Sequence, residues 1–501
     1  MLADSFLAEK IQEYNNLVSR EELAVIVSGV VSMGLEILAG RVLAPRFGST
    51  IYTWGTIIGI SMLALSLGYH YGGKSSSNIS MKDLERYLIY TSGYILLVLY
   101  LGDEILSASA GLPITAIYAP IVPVTILFGP PTYFLGFISP YAAQLSSKNT
   151  KGEASGHFYA IGTAGSIFGA FGTTFLLVPY MSVDKIYLLF AVLATLPLIK
   201  GLKSYRTYYG ALILLLGLLM IQTPASAGDV VHSESTVYQE LEVSDRNGVR
   251  TLYLDGQPQS AIYLNGSGYP WGYLDYFHVP FLMRDDVDKA LFIGGGGFVG
   301  PQEFAELGVD VDAVELDPAV VRTAKEYFNL SESENLDVHT ADGRDFLQNT
   351  TEEYDVIYVD AYRKSRVPFH LTTKEFMQLA KGKMDEEGVL VSNIISTSSG
   401  PGSKFAKAQY KTMNSVFGST YFFPTSETRV AQNIELITSK QPRISKKTLI
   451  DRSEGYERKD LAGKVRNLRE FETGDAPVLT DNYAPVERLL NPLIGQEYVV
   501  D

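Results

Sequence analysis

ALFIGGGGFVG, residues 290–300, is an apolar run of strand character that breaks into four consecutive glycines. Without a Cβ, glycine lets the main chain turn tightly and come close to a ligand, and a helix starting after such a turn offers free N–H groups to polar or negative atoms. The stretch reads as a strand, a ligand-cradling turn and the start of a helix. Gly295, Gly297 and Gly300 also satisfy the G-x-G-x-x-G pattern, with Glu315 about 20 residues on, so a dinucleotide is one of the nucleotides the loop could hold.

Working outward, short strands alternate with helical patterns, which predicts an α/β sheet covered on both faces. PQEFAELG (301–308) and PAVVRTAKEYF (318–328) read as helices, the second opened by a proline after the capping Asp317. DVDAVELD (310–317), LDVHTADGRDFL (336–347), YDVIYVDAY (354–362) and GVLVSNI (388–394) carry strands. Upstream, residues 235–264 alternate with period two around the turn signals DRNG and DGQ, the pattern of a small antiparallel β subdomain. The expected organisation of this half is a β subdomain at 229–285 and a Rossmann-like domain at 286–501.

Acids recur at the strand ends. Glu315 ends the second strand, where a carboxylate binds ribose hydroxyls. Asp342 sits in the turn after the third, within reach of an adenine amino group. Asp360 ends the fourth, the edge at which open α/β sheets bind ligands and do chemistry. Each also has an ordinary alternative use as a helix cap or turn residue.

Residues 1–225 differ in kind. Apolar stretches at 22–40, 51–72, 87–102, 119–145, 157–179, 183–199 and 207–222 approach the ~20 residues that span a bilayer, and predict a multi-pass α-helical membrane domain of about seven helices. The proline-interrupted 112–145 could hold one kinked helix or two short ones. Small residues in AIGTAGSIFGAFGTTF (160–175) are spaced for close helix packing, and Glu36 is an acid inside a span with Arg41 five residues on. Ten lysines and arginines flank one side of a seven-helix arrangement against three on the other, a bias that puts the N-terminus in the cytoplasm and the second half outside. A nucleotide ligand would be supplied from the cytosol, so the side of the soluble half is left open between these two arguments. The whole chain of 501 residues has no cysteine and a net charge of −14, which excludes disulfides and thiolate metal sites and argues against nucleic-acid binding. No histidine pair has metal-ligand spacing, and no metal is expected.

In order along the chain, YQEL (238–241), LYLDG (252–256), HVP (278–280), GGGG (294–297), VELD (314–317), ADGRDF (341–346), YDVIYVDAY (354–362) and APVLTDNYAPVE (476–487) resemble the spermidine synthases, the polyamine aminopropyltransferases. Together with SGVVSMGLEILAGRVLAPRFGSTIYTWG near the N-terminus, they are similar to the subgroup fused to a polytopic membrane domain. The resemblance implies an S-adenosylmethionine-dependent-transferase type of fold. It implies a nucleotide site at Gln239, Gly294, Gly295, Gly296, Gly297, Glu315, Asp342, Gly343 and Asp360, catalytic roles for Asp360 and Tyr362, and acceptor contacts at Tyr238, Tyr273, Asp275, Arg363, Asp481 and Tyr483. The family's glycine motif usually carries an Asp that meets the amino group of decarboxylated S-adenosylmethionine; here that position is Gly297. Its second acceptor-side acid, three residues past Asp360, falls on Arg363, and Tyr273 and Asp275 stand one residue out of register with its Tyr-x-Glu stretch.

Two missing acids leave room for the carboxylate of intact S-adenosylmethionine, and Arg363, Lys364 and Arg366 suit a neutral or anionic acceptor. The expectation is therefore a membrane-anchored transferase using S-adenosylmethionine or its decarboxylated form. Methyl transfer to a small-molecule or lipid-soluble acceptor is slightly favoured over aminopropyl transfer to a polyamine. A non-enzymatic nucleoside- or polyamine-binding domain coupled to a transporter-like membrane domain is the competing class. The lipid bilayer is an expected partner, and a second copy of the chain an open one.

Overall fold

The computed structural model describes residues 18–47, 50–110, 112, 118–146, 151–199, 230–236, 238–265, 268–331, 333–362, 367–426, 428, 430–493 and 498. The chain divides into two units, Met1–Ala227 with Ser235–Gln239, and Gly228–Glu234 with Glu240–Asp501.

The first unit is helical: α1 (Arg20–Phe47), α2 (Ile51–Ser75), α3 (Met81–Ala110), α4 (Ile121–Leu127), α5 (Gly129–Gly136), α6 (Ile138–Leu145), α7 (Lys151–Gly172) and α8 (Val183–Ile199). The glycine-rich face of α7 meets α1 backbone to backbone. A Cβ on Gly169 would lie 2.8 Å from the Val30 Cα, and one on Gly165 would meet the Ile26 carbonyl, so only residues without side chains permit this approach. The segment 119–145 breaks into three helices rather than one or two. Pro130 and Pro131 have no N–H to offer the carbonyls four residues back. The Ile126 carbonyl instead accepts the Tyr94 hydroxyl of α3 at 2.7 Å.

Among the described residues, four helices are long and apolar enough to cross a membrane, over Arg20–Ala44, Ile51–Ser75, Met81–Ala110 and Gly152–Leu177. Ile121–Leu127 with Gly129–Leu145, bent by 47°, makes a fifth if the pair is one span. Six of the seven expected stretches fall on described helices, 119–145 on α4, α5 and α6 together, but four or five of these are long and apolar enough to cross a membrane. At 1.5 Å per residue the 17-residue α8 spans roughly 25 Å, short of a hydrocarbon core of about 30 Å. The stretch 207–222 lies outside the described residues. Glu36 is half-buried in α1, with no ion pair to Arg41.

The second unit opens with a four-stranded antiparallel sheet, β1 (Val230–Ser235), β2 (Glu240–Arg246), β3 (Val249–Leu254) and β4 (Gln257–Tyr263). Its two tight turns are Asn247-Gly248 and Asp255-Gly256, all four residues at positive φ, the type I′ geometry that matches strand twist. A cap of 3-10 helix follows at Gly272–Leu282.

Then come β5 (Lys289–Ile293), α9 (Val299–Glu306), β6 (Asp310–Glu315), α10 (Pro318–Tyr327), β7 (Leu336–Thr340), α11 (Gly343–Asn349), β8 (Tyr354–Val359), α12 (Lys374–Gly382), β9 (Met384–Ser396), α13 (Lys404–Phe417), β10 (Thr420–Pro424) and β11 (Gln432–Ser439). The sheet order is β10-β11-β9-β8-β5-β6-β7. Strands β9, β8, β5, β6 and β7 run parallel, while β11 is antiparallel to both β9 and β10. This is a Rossmann-like α/β domain, with cores on both faces of the sheet. The chain leaves β5 for β6 on one side and returns to β8 on the other, so the crevice between the ends of β5 and β8 is the topological switch point.

The entry to β5 is held by Arg284. Its guanidinium reaches the Asp355 carboxylate at 2.7 Å and the Asp385 carboxylate at 3.0 Å, and the second Asp355 oxygen accepts the N–H groups of Asp288 and Lys289 at 2.6 and 2.8 Å. Arg284→Met leaves two partly buried carboxylates facing each other. The expected cost is roughly 3–5 kcal/mol of local stability, read as faster amide hydrogen exchange over 289–293; unchanged exchange there would refute this account of how β5 is anchored.

Candidate active site

The glycine loop is shaped by contacts between strand ends. The Gly294 N–H donates to the Val314 carbonyl, and the Asp360 N–H to the Ile293 carbonyl, each at 2.9 Å. Gly294 stands at φ +104, and a Cβ there would run into the main chain of Asp360. One Glu315 oxygen accepts the Gly295 N–H at 3.0 Å and the other the Asp317 N–H at 3.0 Å, so this carboxylate braces the loop. The Gly297 N–H donates to Ser260 Oγ at 2.8 Å. A Cβ on Gly297 would lie 2.8 Å from the Ser260 Cβ and 3.0 Å from the Phe328 ring. The space beside Gly297 is therefore filled by side chains of the protein, not left open for a ligand carboxylate.

A pocket lies at the switch point, walled by Ser260, Tyr273, Phe277, Gly294, Gly295 and Asp360 among others. Asp360 is half-buried at its wall. Its Oδ1 accepts the Asn393 amide at 2.8 Å, the Asn393 carbonyl oxygen accepts the Asn433 amide at 2.9 Å, and the Asn433 oxygen accepts the Tyr498 hydroxyl at 2.6 Å. This chain leaves Oδ2 without a donor among the described residues. Burial among aromatic rings pushes the Asp360 carboxyl up to about 7, against the hydrogen bond from Asn393 that favours its charged form. Burial and then the charge of Asp360 raise the Tyr273 phenol well above its ordinary value.

The other residues singled out in the sequence are distributed around this centre. Asp342 caps α11 through the N–H groups of Arg344 and Asp345 at 2.9 and 3.1 Å, and its other oxygen pairs with His370 Nε2 at 2.9 Å. Gly343, behind it, lets α11 approach the Ile293 side chain at the end of β5. Asp481 takes a two-pronged Arg344 interaction at 2.8 and 2.6 Å, which holds its carboxyl below the usual range. The Tyr362 hydroxyl donates to the Leu371 carbonyl at 2.8 Å within the core. Asp275 is engaged by the Tyr269 hydroxyl at 3.1 Å and Lys464 at 3.3 Å, and does not line the pocket. Tyr483 is half exposed, its hydroxyl accepting from Arg488 at 2.7 Å. Tyr238 and Gln239 lie in the link between β1 and β2, the Gln239 carbonyl accepting the Thr236 N–H at 2.9 Å. Arg363, Lys364 and Arg366 lie outside the described residues.

Sequence reasoning passed over Ser260, Asn393 and Glu435. Glu435 left a readable signal, a single acid inside the apolar strand QNIELITS. Ser260 and Asn393 left none, since a serine or asparagine in a strand is unremarked until its neighbour across the sheet is known.

The parallel sheet, its switch-point pocket and the glycine loop braced by an acid define a Rossmann-like domain of the nucleotide-binding class. The spermine/spermidine synthase domain family matches residues 275–424. A polyamine aminopropyltransferase of Vibrio vulnificus is 30% identical over 256 residues, 48% of this chain and 76% of that protein. A probable polyamine aminopropyl transferase of Bifidobacterium longum is 28% identical over 284 residues, 52% of this chain and 62% of that one. Among solved structures, a probable spermidine synthase from Corynebacterium glutamicum overlays with a TM-score of 0.42 at 19% identity, covering 53% of this chain and 99% of that one. The chain belongs to the spermidine synthase family and is a transferase enzyme. Family membership removes the non-enzymatic reading.

Two outcomes follow for the site. Glu315→Ala frees the Gly295 N–H and loosens the loop, and nucleotide affinity should fall about ten- to a hundredfold, the scale of one lost hydrogen bond to a charged group; equal affinity by calorimetry would exclude Glu315 from the site. Asp360, raised in the folded state above the ~3.9 of an ordinary Asp, binds more protons folded than unfolded between these values. Stability relative to Asp360→Asn should therefore decline as pH rises from about 4 to about 7 and then level off. Denaturant titrations of both proteins across that range check the sign.

Proposed function

We propose that the second unit transfers an aminopropyl group from decarboxylated S-adenosylmethionine to an amine of the polyamine class. The observation that carries this reading is the half-buried Asp360 carboxyl at the pocket wall, whose raised proton affinity matches a base working near neutral pH. Such a group takes the proton an ammonium must shed to become a nucleophile. The freed nitrogen then bonds to the aminopropyl carbon next to sulfur, and the carbon–sulfur bond breaks with its electron pair going to sulfur. The oxygen of Asp360 that has no donor among the described residues supports that role, and the Asn393 amide supports its orientation.

The nucleotide fits the residues present. Gly294 allows the main chain to come close, Glu315 stands at the end of β6 where ribose hydroxyls are met, and Asp342 stands at the end of β7. Methyl transfer from intact S-adenosylmethionine rested on two missing acids, one at Arg363, which lies outside the described residues, and one whose absence would leave room beside Gly297. Ser260 and Phe328 occupy that room, which weakens its physical basis and shifts support to aminopropyl transfer.

The first unit is proposed as a membrane anchor. Three of its apolar helices bury little of themselves within the protein, 28% of the apolar window of α2 and of α3 and 17% of that of Gly152–Leu177, while that of α1 is 67% buried. Phe168, Phe171, Phe175 and Leu176 are each more than 60% exposed, a surface suited to lipid.

Side-by-side titrations test the reaction. The full-length protein should bind decarboxylated S-adenosylmethionine at least tenfold more tightly than the intact nucleotide; the reverse order would restore methyl transfer. A cytosolic nucleotide supply also requires a tag at the C-terminus to be shielded from protease in intact cells and cut after permeabilisation. Cleavage in intact cells would put the second unit outside.

A further inference from the structure

Three hydrogen bonds in series lead away from Asp360, and the last ends on a residue the proposed reaction does not use. Asn393 on β9 donates to Asp360 Oδ1 at 2.8 Å, Asn433 on β11 donates to the Asn393 side-chain oxygen at 2.9 Å, and the Tyr498 hydroxyl donates to the Asn433 oxygen at 2.6 Å. Asn393 and Asn433 are both buried, so neither amide can trade its partner for bulk water.

The sheet places the links. Asn433 pairs in register with Ile395 and Asn393 with Glu435, so the two asparagines stand diagonally on one face of neighbouring strands, a separation that side chains of this length bridge. Tyr498 joins through a parallel bridge between its main chain and Ala431, just before β11 and two residues ahead of Asn433. The Tyr273 phenol at the pocket wall is raised by burial, then by Asp360 and then by Tyr498, so both ends of the chain act on the same wall.

The chain has a direction. An asparagine amide offers a donor at one end and an acceptor at the other. With Asp360 ionised, Asn393 must turn its N–H toward the carboxylate, which turns its oxygen toward Asn433, whose own oxygen then faces Tyr498. With both amides reversed, an oxygen would face Asp360, an arrangement that suits only the protonated acid. Whatever stands at the far end therefore biases the proton at the near end. A phenol gives a hydrogen bond more readily than it accepts one, because its oxygen lone pair is drawn into the ring, and Tyr498 thus favours the orientation that keeps Asp360 ionised.

We propose that Tyr498 is a positioning residue: through Asn433 and Asn393 it fixes which atom is turned toward Asp360, and so keeps the base ready to take a proton. As a statement about catalysis the inference rests on the aminopropyl-transfer reading. The other titratable groups facing Asp360 among the described residues are Tyr273 from the cap at Gly272–Leu282 and Glu435 on β11. Burial raises both toward their neutral forms, so neither brings a cation that would hold Asp360 in place of the chain.

The test follows the titration of Asp360 both with and without transfer. For the full-length wild type, Tyr498→Phe, Asn433→Ala and the double variant, stability is measured against the matching protein carrying Asp360→Asn. In the wild type the decline in relative stability with rising pH ends near pH 7. Loss of the phenolic donor raises the folded-state value further, so in Tyr498→Phe the decline should end about one unit higher. Asn433→Ala should move it equally and the double variant no further, because each change cuts the same chain. With decarboxylated S-adenosylmethionine and 1,4-diaminobutane, kcat/KM of Tyr498→Phe should fall roughly fivefold at pH 7 and return to the wild-type value above about pH 9; a merely structural tyrosine would lower the rate at every pH. An end point that stays near pH 7 in Tyr498→Phe would overturn the inference, as would shifts that add in the double variant. A wild type that transfers nothing would overturn the aminopropyl reading, and the stability measurements would then decide the role of Tyr498 by themselves.

Discussion

Where β5 ends, the main chain passes so close to the end of β8 that no side chain fits between them. The Asp360 carbonyl occupies the place a Gly294 Cβ would take, and hydrogen bonds from Gly294 to β6 and from Asp360 to β5 lock three neighbouring strand ends together. This backbone contact decides where everything else in the second unit goes. It sets the glycine loop beside the Asp360 carboxyl, whose proton affinity burial raises, and it lets Glu315 brace the loop from the adjacent strand. A sheet that switched direction at any other pair of strands would separate these groups.

The second unit treats its acids in two ways. Asp355 and Asp385 share Arg284, Asp481 holds Arg344, and Asp245 holds Arg250, each within a normal ion-pair distance. These pairs tie elements together. Asp360 and Glu435 have no cation among the described residues, although both sit in a low-dielectric setting where an unpaired charge is most costly. A fold optimised only for stability would have paired or replaced them. Their isolation shifts both toward the neutral form.

Much of this was legible in the sequence because local chemistry and fold agree. Four glycines after an apolar run, Asn-Gly and Asp-Gly turns between alternating stretches, and an Asp before Pro318 each fix a backbone conformation within a few residues, and the strands and helices follow from them. What stayed hidden depends on pairing across the sheet. Asn393 gains its meaning from Asp360, 33 residues away, and Glu435 from Asn393, reached through an antiparallel strand whose place between β9 and β10 no local pattern announces. Gly297 misled for a related reason. A missing acid looks like an opened space until Ser260, on a different sheet, is seen to fill it. In the first unit the apolar runs were plain, but their division into spans was not, because prolines at 130 and 131 redirect the chain without changing its hydropathy.

That redirection has a mechanical side. A helix broken by proline usually behaves as a joint, since the carbonyls it strands can trade partners as the two arms swing. Here the Ile126 carbonyl is already taken by a phenol projecting from a neighbouring rod, the 30-residue α3. Swinging either arm would strain that bond. The 47° bend is thus tied beside its break to α3, so that a change in the bend and a shift of α3 are coupled through that bond.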